Sequence, residues 1–106
     1  MSQPDMSELL KRAQEMQQRM AELQRDLARR TTEGSAGGGM VTAVATGELR
    51  ILEIRIEPEL ISSGDQAMLQ DLIAAAANAA LANAQRMVQE EMQKAAGPLQ
   101  MLQGQS

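Results

Sequence analysis

The hydrophobic period of this chain changes twice along its length, and that alone restricts the folds open to it. From Asp5 to Arg30 the apolar residues fall at Met6, Leu9, Ala13, Met16, Met20, Leu23 and Leu27, in alternating steps of three and four. This is a heptad pattern on an uninterrupted helix, with no Gly or Pro inside it. At 1.5 Å per residue the helix is about 39 Å long. Pro4 suits its first turn, where no backbone donor is needed. Glu8/Arg12 and Glu15/Arg19 are i,i+4 pairs in the favourable order.

The period then becomes two. Ser35-Ala36-Gly37-Gly38-Gly39 is too rich in Gly for a helix and reads as a mobile turn. Met40 to Thr46 follows as a strand, Gly47-Glu48 as a hairpin turn, and Leu49 to Glu57 as a second strand. In that second strand Leu52, Ile54 and Ile56 alternate with Glu53, Arg55 and Glu57. Leu49 and Ile51 are out of phase with Leu52 and Ile54, which implies a bulge or a strand start covered on both faces. Arg30 to Glu33 could add a short edge strand. Pro58 ends the ladder, and Ile61-Ser62-Ser63-Gly64 reads as an exit loop.

The helical period returns after Asp65, a good N-cap, and runs to about Ala96, where Gly97-Pro98 supplies the stop. Eight of the eleven residues from Ala74 to Ala84 are alanine, which favours helix and leaves a smooth surface that another backbone can approach. The expected architecture is α+β: long helix, two or three antiparallel strands, long helix. Residues 1–98 read as a single domain and 99–106 as a flexible tail. Two helices of about 39 and 48 Å overrun so small a sheet, so a homodimer is expected. A chain of 106 residues also builds only a modest core by itself.

Composition then removes whole classes of function. The chain has no Cys, His, Trp, Tyr or Phe, and nine Met. Zinc sites of the usual ligand set, thiol nucleophiles, disulfides and imidazole bases are excluded. So are the aromatic platforms that grip single-stranded nucleic acid. The longest apolar run, Leu72 to Ala77, is far short of a membrane span. A cytoplasmic protein is expected.

Among candidate sites, Gly34 to Gly39 lacks the Lys-Ser/Thr of a phosphate loop and opens a strand instead of a helix. Glu53, Glu57 and Glu59 could pair for hydrolysis or hold a divalent ion, but two of them lie on the polar face of a strand, where carboxylates meet water. Met6, Met16 and Met20 sit at heptad core spacing. The cations are more informative. Ten Lys+Arg oppose fourteen Asp+Glu, for a net charge of −4. Residues 1–34 carry six of each sign, so the excess acid lies in the strands and second helix. On the first helix Glu8, Glu15 and Glu22 run between Lys11, Arg12, Arg19 and Arg25, and only the end, Arg25 to Arg30, is distinctly basic. Cations in a last turn also complement the helix dipole.

Several strings resemble the small bacterial nucleoid-associated proteins of the YbaB/EbfC family, nearly end to end. They are Lys11-Arg12-Ala13-Gln14-Glu15-Met16-Gln17, Gly37-Gly38-Gly39-Met40-Val41, Gly47, Ile54-Arg55-Ile56-Glu57-Pro58-Glu59-Leu60 and Leu69-Gln70-Asp71-Leu72-Ile73-Ala74-Ala75-Ala76-Ala77-Asn78. The resemblance implies a tweezer-shaped homodimer, with sheets near its core and helices projecting, that binds double-stranded DNA at the nucleoid and alters its conformation. It implies no enzymatic activity and no cofactor. The chain departs from family members that carry an aromatic residue in the second helix. Charge geometry makes Arg25, Arg29 and Arg30 the best candidates for DNA contact, with Arg12, Arg19 and Arg86 secondary. A prefoldin-like chaperone or protein-interaction module, also built of helix, hairpin and helix, is the alternative.

Overall fold

The computed structural model describes residues 5–97. Pro4, Pro98 and the tail 99–106 lie outside them. Helix α1 spans Met6–Arg29 and is capped by Asp5, whose carboxylate accepts from the Glu8 amide at 2.9 Å. The Arg30 amide closes the other end on the carbonyls of Asp26 and Leu27. Strands β1 (Thr31–Ala36), β2 (Val41–Thr46) and β3 (Ile51–Ile56) form one antiparallel meander in sequence order. A short helix α2 (Pro58–Ser62) leads to α3 (Gln66–Ala95), capped by Asp65 through the Met68 amide at 3.0 Å.

Three local features differ from expectation. The edge strand β1 is a full six residues and pairs along its whole length with β2. Ser35 and Ala36 therefore belong to the ladder, and only Gly37 to Met40 turn, with Gly37, Gly38 and Gly39 all at positive φ. The segment after β3 begins as helix α2 instead of a loop, because Pro58 at its N-terminus has φ already set for helix. β3 starts at Ile51, since Leu49 sits in the turn at φ 64°. The bulge is present: Val44 faces Glu53 and Ala45 faces Ile51, so Leu52 is the extra residue.

The core is thin and built mainly from small side chains. Helix α3 lies across β1 and β2, burying Ala76, Ala80 and Ala84 against Val41, Ala43 and Ala45, while Leu60 of α2 seals one end. Gly34 of β1 makes this approach possible, because a Cβ there would lie 2.2 Å from the Ala80 nitrogen. The sheet is only half covered. The register puts Ile54 and Ile56 on the α3 side of β3, yet Ile54 is 37% and the bulged Leu52 63% exposed.

Helix α1 is an arm. Its only buried residue is Leu27, seated over Gly47, where a Cβ would come within 1.9 Å of the Leu27 carbonyl oxygen. The rest of α1 stands away from the sheet, giving the described residues extents of 76 × 27 × 15 Å. Their radius of gyration of 21.0 Å is well above the about 13 Å of a compact chain of similar size.

Candidate nucleic-acid interface

The cations of this fold divide into those that are committed and those that are not. Arg55 pairs with Glu33 and Glu53 on the outer face of the sheet, Arg50 with Glu48 in the β2–β3 turn, and Lys94 with Glu91 on α3. Arg30 pairs twice, with Asp26 at 3.1 Å and with Glu91 of α3 at 3.4 Å. That removes four of the ten Lys and Arg. Among the described residues the other six, Lys11, Arg12, Arg19, Arg25, Arg29 and Arg86, close no ion pair. Five of them are on α1.

Helical geometry sorts the α1 cations into two rows. At about 100° per residue, Lys11 and Arg29 fall on one line and Arg25 within about 40° of it. This row is opposite the seat of Leu27 and faces away from the body. Arg12, Arg19 and Arg30 share a second row beside the apolar stripe. Glu8, Glu15, Glu22 and Asp26 run between the two. The expected trio of Arg25, Arg29 and Arg30 is therefore split: Arg25 and Arg29 stay together one turn apart, and Arg30 turns toward α3. Lys11 joins the outer row in Arg30's place. It is legible in the sequence as an 18-residue, five-turn spacing to Arg29, whereas Arg30's commitment to Glu91, 61 residues on, is not.

Arg86 stands on α3, where its guanidinium donates to Asn83 Oδ1 at 3.5 Å, and Asn83 Nδ2 in turn donates to the Glu33 carbonyl at 2.8 Å. It supports no shared cluster with the α1 rows. The expected Glu8/Arg12 and Glu15/Arg19 pairs are not closed ion pairs here. Exposed pairs of this kind gain little over solvation and cost side-chain entropy.

The acidic balance of the chain is segregated from this arm. Glu57, Glu59, Asp65 and Asp71 have no Lys or Arg between them and account for the whole net charge of −4. They sit around α2 and the start of α3, at the Met40–Ile56 end of the sheet. Helix α1 leaves from the opposite, Gly47 end. A six-residue strand separates the two ends by about 20 Å, more than twice the about 8 Å over which salt screens exposed charges. A polyanion meeting α1 therefore sees the arm's own charge and little of the acidic pole.

The family model of the YbaB/EbfC DNA-binding family matches residues 1–99. The chain belongs to this family. Among its relatives, a nucleoid-associated protein of Pelotomaculum thermopropionicum is 46% identical over 97 residues, covering 92% of each chain. Another, from Acetivibrio thermocellus, is 50% identical over 95 residues, or 90% of this chain and 84% of that one. The crystal structure of the uncharacterized protein HP0035 from Helicobacter pylori superposes with a TM-score of 0.60 over 92% of this chain and 98% of that one. At 21% identity that likeness concerns the fold alone. Membership gives the outer row of α1 its context: an arm of unpaired cations, on a YbaB/EbfC chain whose described residues include no helix long and apolar enough to cross a membrane.

Proposed function

We propose that this chain is a nucleoid-associated protein that binds double-stranded DNA largely without regard to sequence and alters its conformation, acting as a homodimer through phosphate contacts. The outer row of α1, Lys11, Arg25 and Arg29, carries the reading. Its cations are exposed, close no ion pair among the described residues, and stand on an arm that a duplex can approach without meeting the body. Such groups neutralise phosphates and release counterions, which supplies affinity and little sequence information. Two-fold symmetry would present two such rows on one rigid frame, and a duplex that follows both must adapt its path. Contacts of this kind require no catalytic group and no cofactor. A protein that makes them works at the chromosome, in the cytoplasm.

The test is fluorescence anisotropy of a labelled duplex of several helical turns, with the label on the DNA because the protein has no Trp or Tyr. Affinity should fall steeply with salt and be insensitive to scrambling the duplex. In the K11A/R25A/R29A variant the slope of log affinity against log salt should shrink by about 0.9 for every phosphate left without its cation. Arg30→Ala should change it little, since that guanidinium already serves Asp26 and Glu91. Wild-type binding in the triple variant would sink the assignment of these residues. The chaperone reading has one feature in its favour: the α1 arm exposes Met6, Leu9 and Leu10 near its start. Suppressed aggregation of an unfolded client together with no DNA binding would select it instead.

A further inference from the structure

Helix α1 meets the body through one short joint. Leu27, its only buried residue, sits over Gly47, and the Gly47 amide donates to the Arg30 carbonyl at 3.1 Å. Beside the joint a cleft of about 350 Å³ parts two helices, with Gln24 and Ala28 of α1 on one wall and Val88 and Met92 of α3 on the other. A gap of this size forfeits the dispersion contacts that would lock one helix on the other. Charge spans it instead. The Arg30 guanidinium gives one nitrogen to each helix: Nη2 donates to Asp26 Oδ2 of α1 at 3.1 Å, and Nη1 lies 3.4 Å from Glu91 Oε1 of α3. Lys94 lies 3.4 Å from the same Glu91 oxygen. Among the described residues, Arg30 and Glu91 form the one ion pair that joins the foot of α1 to α3.

We propose that Arg30 and Glu91 are positioning residues: their pair fixes the tilt of α1 and so holds Lys11, at the far end of the outer row, in line with Arg25 and Arg29. The lever is long. Lys11 stands sixteen residues from the pivot at Leu27, or about 24 Å along the helix, so a swing of about 10° carries it about 4 Å. That exceeds the about 2.8 Å length of a charge-assisted hydrogen bond, and a phosphate contact made by Lys11 would be lost. Arg29, about 3 Å from the pivot, moves by a small fraction of this. An isolated exposed ion pair has little hold, but Asp26, Arg30, Glu91 and Lys94 form a network in which one planar guanidinium serves two carboxylates. The network holds two charges of each sign, so it aims the arm without itself drawing a phosphate. The consequence for Lys11 rests on the DNA-binding reading above, whereas the fixed tilt is independent of it. A pre-aimed row binds without the cost of ordering a loose arm.

The absence of Cys from the chain makes the tilt measurable. Gln18→Cys on α1 and Gln85→Cys on α3, both at exposed positions, take nitroxide labels in the full chain. Pulsed electron spin resonance, on labelled protein diluted into excess unlabelled protein, then reads the distance within one chain in the absence of DNA. The distribution should be narrow with the pair intact. Glu91→Gln and Arg30→Gln should each broaden it, and the two together no more than either alone, because they remove the same link. Circular dichroism checks that each variant is folded. An unchanged distribution in both single variants would overturn the proposal. In duplex titrations Glu91→Gln should weaken binding several-fold with little change of salt slope. Lys11→Ala should then cost less in the Glu91→Gln background than in the wild type, and Arg29→Ala the same in both. Equal costs of Lys11→Ala in the two backgrounds would overturn the positioning role. So would tighter binding by Glu91→Gln with a slope larger by about 0.9, since Glu91 would then be withholding Arg30 from a phosphate. If the wild-type protein binds no duplex, the proposed function fails and the role toward Lys11 with it, while the resonance distances still decide whether the pair sets the tilt.

Discussion

Two glycines set the dimensions of the molecule at the residue scale, and neither does so through conformational freedom. Gly34 lets the α3 backbone touch β1, and Gly47 lets the Leu27 carbonyl touch the β2–β3 turn. In sequence, Gly34 is the first residue of a Gly-rich stretch and reads as loop. Nothing in a single chain says that a helix 46 residues downstream lies against it. Gly34→Ala places a methyl group into the Ala80 backbone, which cannot yield as a side-chain tip would. Overpacking of this kind costs typically 1–3 kcal/mol, and a rigid neighbour puts it at about 3. Thermal unfolding followed by circular dichroism should show a midpoint lowered by more than about 10 °C. An unchanged midpoint would mean that α3 stands off from β1. The same logic separates the candidate site's legible and illegible parts: the spacing of Lys11, Arg25 and Arg29 follows from helical geometry, whereas the pairing of Arg30 with Glu91 depends on tertiary placement.

Elements are readable where the period is long and the punctuation strong. The heptad run and the alanine run each form the helix expected of them; Asp65 caps α3 as its position suggests, and the cap of α1 is Asp5, which the period alone does not single out. Short elements are less so. β1, Thr-Thr-Glu-Gly-Ser-Ala, has almost no apolar signal, since its inward face is Thr32, Gly34 and Ala36, and it is a strand because β2 pairs with it along its length. α2 is one turn held by Leu60, 1% exposed, beneath the sheet end; its helical start follows from Pro58 and its length from that buried leucine. The cap of α3 has a measurable weight. Asp65→Ala removes the acceptor for the Met68 amide and should destabilise the protein by about 1 kcal/mol, seen as a shift of the urea midpoint with an unchanged m-value. No shift would mean that water serves the amide equally well.

For the whole molecule, the half-covered sheet and the separated charges act together. Helix α3 shields β1 and β2 but leaves Ile51, Leu52 and Ile54 of β3 bare on the same face, 36%, 63% and 37% exposed. A protein with a core of alanines and few large side chains gains proportionally more than most from covering such a strip, because its own burial is limited. The strip lies at the edge strand β3, whose outer backbone groups have no neighbouring strand among the described residues, so a second copy can supply both apolar contact and ladder partners. Light scattering at micromolar concentration should therefore return about twice the 11.5 kDa of one chain. The double variant Leu52→Lys/Ile54→Lys should fall to the monomer mass and lose the concentration dependence of its unfolding temperature. Its α1 arm would retain every cation, but one row instead of two would meet the DNA, so affinity should drop and the salt slope roughly halve. Retention of both the doubled mass and the full slope would move the self-association surface away from β3. A halved slope in a variant whose outer row is intact would show instead that assembly, and not the number of arginines per chain, sets how firmly the duplex is held.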